Sequence, residues 1–162
     1  MYVRNDITAK ELPLVSGGIE CIIVKIIISK RKWLLFGIYN PQKAETSSFL
    51  SVLGENLCHY LPSYDNFILF GDFNSEVSEG PMVDFCSLYG LKSLIKTPTC
   101  FKSENSPSCI ALILTNRINS FQNSSTIETG LSDFHHLVLT VLKTTFKKAS
   151  QGASVQEVQE LL

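Results

Sequence analysis

The chain has 162 residues, which suits one domain of ordinary size. Hydrophobic residues make up 44% and charged residues 18%, so a packed core is expected and general disorder is excluded. The net charge of −1, fourteen basic against fifteen acidic residues, excludes a generic basic nucleic-acid coat. It leaves room for an enzyme that grips nucleic acid along one groove.

The start, MYVRNDITAKELP, has no apolar run of the signal-peptide kind. An intracellular protein, nuclear or cytoplasmic and not secreted, is expected. Residues 19–28 predict a strand: Ile22, Val24, Ile26 and Ile28 share one face, and Cys21, Ile23 and Ile27 dominate the other. Apolar residues on both faces predict cover on both sides. Residues 32–39, KWLLFGIY, predict a second strand, antiparallel to the first across the basic turn Lys30-Arg31-Lys32. Glu20, Lys25 and that turn interrupt the most apolar segment, and a membrane span needs roughly 20 mostly apolar residues, so no span is expected.

Asn40-Pro41 breaks the second strand, since proline cannot continue a ladder. Phe49, Leu50, Leu53, Leu57 and Tyr60 fall at helical spacing, predicting a helix over 47–61. Thr46 through Ser48 offers its N-cap, and Pro62 its end. NFILFGDF (66–73) predicts a strand that leaves the sheet at Gly71. EGPMVDFCSLYG (79–90) predicts a short helix, with Pro81 in its first turn and Gly90 at its C-cap. CIALILTN (109–116) and HLVLTVLK (136–143) predict two more strands, with a Ser/Asn/Thr-rich loop over 119–130 between them. The polar tail 149–162 carries Val155, Val158, Leu161 and Leu162, the spacing of a possible short helix after a domain over 1–148. Strands and helices mixed at hairpin-like spacing predict an α+β fold.

Cys21, Cys58, Cys86, Cys100 and Cys109 are odd in number and lack C-x-x-C spacing. They predict reduced thiols, mostly small core hydrophobes.

LFGDFNSEV (69–77) bears on chemistry. Cleaving a phosphodiester needs a group that aims water, a cation that neutralises developing charge, and donors for the phosphoryl oxygens. Asp72 suits the first or second task and Asn74 the third. An Asx turn leaving a sheet accounts for the same two residues without chemistry. Asp133, in TGLSDFHHLVLTV, stands before another apolar strand, with His135 and His136 behind it.

Taken together and in this order, GDFN, CIALILTN and TGLSDFHH resemble the endonuclease/exonuclease/phosphatase superfamily. More narrowly they resemble the endonuclease domain that precedes the reverse transcriptase of non-LTR retrotransposons. GGIECIIVKI, WLLFGIYNPQ, LPSYDNFILFGDFNSE and FCSLYGLKSLIKTPTCFKSENSPSCI fit the same group, so the resemblance runs from Tyr2 to about Lys148. It implies a four-layer α/β/β/α sandwich, here without its first strands and helix. It implies phosphodiester or phosphomonoester cleavage with Mg²⁺ or Mn²⁺, and DNA as partner. By the same resemblance Asp72 orients or deprotonates the attacking water. Asn74 and Tyr39 bind the scissile phosphate. Asp133 sits near the metal.

The chain departs from that pattern in three ways. The family's metal-binding glutamate lies upstream of Tyr2, so MYVRNDI reads as the middle of a domain. Ala111 stands where the family has the aspartate that orients its catalytic histidine. Phe134 stands where that histidine itself is expected. Leu137, Leu139 and Val141 set a register that turns His135 the opposite way, unless a bulge brings it in as a replacement. Three functions are therefore weighed: a metal-dependent DNA-nicking endonuclease, a catalytically inactive retrotransposon remnant or binding module, and a phosphatase on the same scaffold. For a nicking enzyme, Lys30, Arg31, Lys32, Lys92, Lys96, Lys102 and Arg117 are the candidates for a basic groove. Truncation predicts uncovered apolar surface, above all on 19–28.

Overall fold

A computed structural model of the protein describes residues 1–41, 45–102, 105–130, 132 and 134–143. The tail with its expected short helix, and Asp133, lie outside the described residues. Eight strands form, in chain order: β1 (Thr8–Leu12), β2 (Glu20–Ile28), β3 (Arg31–Tyr39), β4 (Phe67–Asp72), β5 (Lys92–Ser93), β6 (Ala111–Thr115), β7 (Phe121–Ile127) and β8 (Leu137–Leu142). Helix α1 spans Thr46–Tyr60 and helix α2 spans Gly80–Leu88.

Six strands make one sheet in the order β1-β2-β3-β4-β6-β5, and β7 and β8 make a second. The β2–β3 pair is antiparallel, joined by a two-residue turn at Ser29-Lys30 with both residues at positive φ. Parallel pairing of β3 with β4 puts the crossover through α1, as parallel strands require. β6 returns antiparallel to β4.

The large sheet buries both faces. On one, Ile23, Leu34, Phe36, Ile38, Leu69, Leu112 and Leu114 meet the inner stripes of α1 (Phe49, Leu50, Leu53, Leu57) and α2 (Met82, Phe85). On the other, Val24, Ile26 and Trp33 meet Phe121 of β7 and Leu142 of β8, and Trp33 packs edge-on against Phe121 at 5.7 Å. The fold is α+β, as the sequence predicts. The described residues build three layers, namely helices, large sheet and small sheet, where the resemblance implies four.

Several local expectations change. The predicted loop 119–130 contains β7, a mostly polar strand anchored by buried Phe121 and by a cross-strand hydroxyl pair. Ser124 Oγ and Thr140 Oγ1 lie 2.8 Å apart, and an irregularity between Gln122 and Ser125 accommodates Asn123 at φ 53°. β1 was not predicted, because TAKEL is a charged, exposed edge strand without an apolar pattern. The N-cap of α1 is Glu45, without a side-chain cap bond; Thr46 Oγ1 pairs with Ser75 Oγ at 2.9 Å instead. β2 is covered on both faces apart from Ile27. The exposed apolar surface falls on β8, where Leu137, Leu139 and Val141 point outward and Leu142 inward. Of the cysteines, Cys86 and Cys100 are buried, Cys21 and Cys109 half-buried, and Cys58 exposed; all five are free. No helix among the described residues is long and apolar enough to cross a membrane.

Candidate phosphodiester site

The site is built where β3, β4 and β6 end side by side. Register places Tyr39 beside Asp72, and Asp72 beside Ala111. Residues in register across a sheet share a face. These three share the face of Trp33 and Ile68, the one toward the small sheet. Gly71 makes the approach possible. It has φ 136°, and a β-carbon there would lie 1.9 Å from the Ile38 carbonyl oxygen.

Beyond Asp72 the chain turns sharply. Asp72 Oδ1 accepts the backbone N–H of Asn74 at 3.0 Å, the Asx turn foreseen as an alternative. Asn74 takes φ 48°, a left-handed conformation that asparagine tolerates. Its side-chain Nδ2 donates to the Asn40 carbonyl at 2.5 Å. Turn and site are thus the same structure, because the bond that makes the Asx turn also fixes Asp72 relative to Asn74.

Asn40 was not singled out in the sequence, yet it grips this turn from three directions. Its N–H donates to the Asp72 carbonyl at 2.8 Å, its own carbonyl accepts from Asn74, and its Nδ2 donates to the Phe73 carbonyl at 2.9 Å. It is 1% exposed, and its Oδ1 is buried without a partner. Tyr39, by contrast, is 46% exposed and free to meet a ligand.

Thr99 was also missed. It is fully buried, and its hydroxyl accepts the amides of Ile110 at 3.1 Å and Ala111 at 2.9 Å. Its carbonyl accepts the N–H of His136 at 3.0 Å. Thr99 therefore ties the start of β6 to the histidine segment. Nothing in the sequence around it marks that role.

His135 is half-buried and pairs with Cys100 in an isolated bridge, its Nε2 3.9 Å from the Cys100 sulfur. Ser132 Oγ accepts the N–H groups of both Phe134 and His135. Phe134 is 48% exposed. Leu137, Leu139 and Val141, whose register was used to orient His135, lie on the outward face of β8. His136 stacks against Phe101, with ring centroids 4.4 Å apart.

A divalent ion does not fit the described residues alone. No group of three or more His, Cys, Asp or Glu among them could hold one. Asp72 already spends one oxygen on Asn74, and Ala111 beside it offers none. Asp133, the implied metal residue, is outside the described residues. Burial pushes the Cys109 thiol up, aided by the Glu76 carboxylate, which accepts the Cys109 amide at 2.8 Å.

The basic candidates do not line this site. Lys30, Arg31 and Lys32 cap the opposite end of β3 from Tyr39, about 27 Å away at strand rise. Lys92 pairs with Thr115, and Arg117 follows it, at the far end of β6 from Ala111. Lys102 follows Phe101, whose N–H donates to the Phe134 carbonyl beside the histidine segment.

No family model and no curated protein matches the chain. Solved structures do. The endonuclease domain of TRAS1, a telomere-specific non-LTR retrotransposon, matches with TM-score 0.71 and 14% identity, over 85% of this chain and 68% of that one. An endonuclease/exonuclease/phosphatase family protein from Leptotrichia buccalis matches with TM-score 0.60 and 18% identity, over 76% and 52%. The 3′ phosphatase NExo from Neisseria, bound to a product DNA hairpin, matches with TM-score 0.60 and 13% identity, over 87% and 72%. The chain therefore has the endonuclease/exonuclease/phosphatase fold, a scaffold shared by nucleases and phosphatases, and spans 68% of the retrotransposon endonuclease domain it is similar to.

Proposed function

We propose that the chain is the phosphate-binding part of a retroelement-type endonuclease, a nucleic-acid-binding module whose own phosphodiester cleavage is weak or nil. One observation carries this reading: Tyr39 and Asp72 stand in register with Ala111, and Asn74 is pinned beside them. On this reading the neutral donors for phosphoryl oxygens are the Tyr39 hydroxyl and the second N–H of the Asn74 amide, the first being given to Asn40. By the resemblance, the aspartate that would orient a catalytic histidine falls at Ala111, which offers only a methyl group. A methyl group cannot fix a histidine tautomer or stabilise a charged imidazole. Similarity to the TRAS1 domain and to a phosphatase bound to DNA supports DNA as the polymer.

The second reading, a working Mg²⁺- or Mn²⁺-dependent nicking enzyme, is favoured by the half-buried His135, which would replace the histidine missing at Phe134 with Asp133 as metal ligand. Incubation of the folded chain with supercoiled plasmid separates the two, with Mg²⁺, with chelator, and as Asp72→Ala. The module reading expects no nicking in any lane. It also expects the Asn74 side-chain amide resonance to shift when a short DNA duplex is added. Metal-dependent nicking that Asp72→Ala abolishes would establish the enzyme instead.

A further inference from the structure

Five of the seven cations expected to line a groove at the site, joined by Lys143, gather at the other end of the sheet. Lys30, Arg31, Lys32, Lys92, Arg117 and Lys143 are all exposed. Hydrogen bonds show that they form one surface. Asn66 Nδ2 donates to the Lys32 carbonyl, and Arg117 Nε donates to the carbonyl of the neighbouring Asp65. Lys92 pairs with Thr115, two residues before Arg117. Lys143 Nζ reaches the Asn119 carbonyl, two residues after it. None of the six forms an ion pair among the described residues; the ion pair described there is Arg4 with Asp6.

We infer that this end of the sheet is a docking surface for the phosphodiester backbone of nucleic acid, separate from the candidate site. Its charge is not neutralised internally, although the whole chain is nearly neutral. Lys32 and Lys92 stand on strands three places apart in the sheet, roughly 14 Å at ordinary strand spacing. Along a duplex axis that spread covers about four base-pair rises, so the surface is wide enough to meet several phosphates. Arg31 and Arg117 supply planar forks that suit phosphate oxygens. Lys30 holds its charge at the hairpin tip with φ 64°, next to Ser29 at φ 50°, where glycine or asparagine would be easier. The opposite end carries Glu20, Asp72 and Glu76 and repels a polyanion, so long-range attraction selects the cationic end.

The test is fluorescence anisotropy of a labelled 20-base-pair duplex with the full chain, as salt is raised. The combined Lys30→Glu, Arg31→Glu, Lys32→Glu variant should bind at least tenfold more weakly. Its dependence of log affinity on log salt should flatten by about three, near one per lost phosphate contact. A matched reversal elsewhere, Lys10→Glu with Lys96→Glu and Lys102→Glu, should change binding far less. If the hairpin variant fails to fold, Lys92→Glu with Arg117→Glu on other strands replaces it. Equal loss in both triple variants would overturn the inference, and so would no binding by the parent chain. Tighter binding to phosphatidylserine vesicles than to the duplex would assign the surface to membranes and overturn it as well. This readout is the affinity and salt slope lost with the hairpin cations, whereas the phosphate-site reading is tested by the Asn74 resonance and by plasmid nicking, so failure here is distinct from failure there.

Discussion

Gly71→Ala tests the geometry that joins β3 to β4. The added β-carbon would lie 1.9 Å from the Ile38 carbonyl oxygen and 2.9 Å from its carbon. The closest ordinary carbon–oxygen contact is about 3.3 Å, so the strands must part by roughly 1.4 Å at this point. The bond from Asn40 to the Asp72 carbonyl, 2.8 Å in the native chain, does not survive that shift. Two ladder bonds at about 1 kcal/mol each, with about 1–3 kcal/mol for an alanine held at φ 136°, give a loss of roughly 3–5 kcal/mol. Domains of this size have about 5–15 kcal/mol in all. Trp33, the one tryptophan, is 2% exposed and reports unfolding by fluorescence. With a urea slope of about 2 kcal/mol per molar, the midpoint should fall by about 2 M. A midpoint within about 0.3 M of the parent would refute the close approach of the two strands.

Three further outcomes are expected. Asn40→Ala loses one buried bond but also removes the unpartnered Oδ1, so it should cost about 1–2 kcal/mol; Asn40→Asp buries a charge and should cost more, and the reverse order in urea titrations would contradict the described grip on Phe73. Burial holds the Cys21 thiol at about 12 against an ordinary 9.0, so its stabilising contribution is complete below pH 9 and is lost as pH rises toward 12; in reductant, Cys21→Ala should flatten the alkaline fall of the urea midpoint, and an unchanged slope would count against that burial. Leu139→Lys, on the outward face of β8, should reduce light scattering of concentrated protein with under about 0.5 kcal/mol change in stability. A large loss of stability would mean that this face is covered after all.

The elements that periodicity announces were legible in the sequence. Two apolar faces gave β2, the 49-50-53-57-60 stripe gave α1, and the apolar run before Gly71 gave β4. β7 and β1 were not legible, because one is polar beyond Phe121 and the other is a charged edge. Asp72 and Asn74, with the Asx turn that joins them, could be read locally and Tyr39 through the resemblance, but the placement of Tyr39 beside Asp72 could not. It depends on a parallel register set through the α1 crossover, which no local pattern encodes. The same holds for Asn40, whose value lies in three contacts to residues more than thirty positions away.

Register also decides what the charges mean. In the sequence, Lys30-Arg31-Lys32 precedes Tyr39 by a few residues and reads as part of the same groove. In the sheet, an extended β3 carries the two to opposite ends. A phosphate arriving at Asp72 therefore meets carboxylates and neutral donors, with no cation of that cluster in reach. Binding there rests on the Tyr39 hydroxyl, the Asn74 amide and whatever cation a complete site supplies, because only a cation reverses the local sign. The cationic end faces no such obstacle. A chain that holds nucleic acid at one end and carries an under-equipped phosphate site at the other would keep affinity for DNA whether or not it cuts. On this proposal turnover and binding are read by different variants, Asp72→Ala in plasmid nicking and the hairpin reversal in duplex affinity.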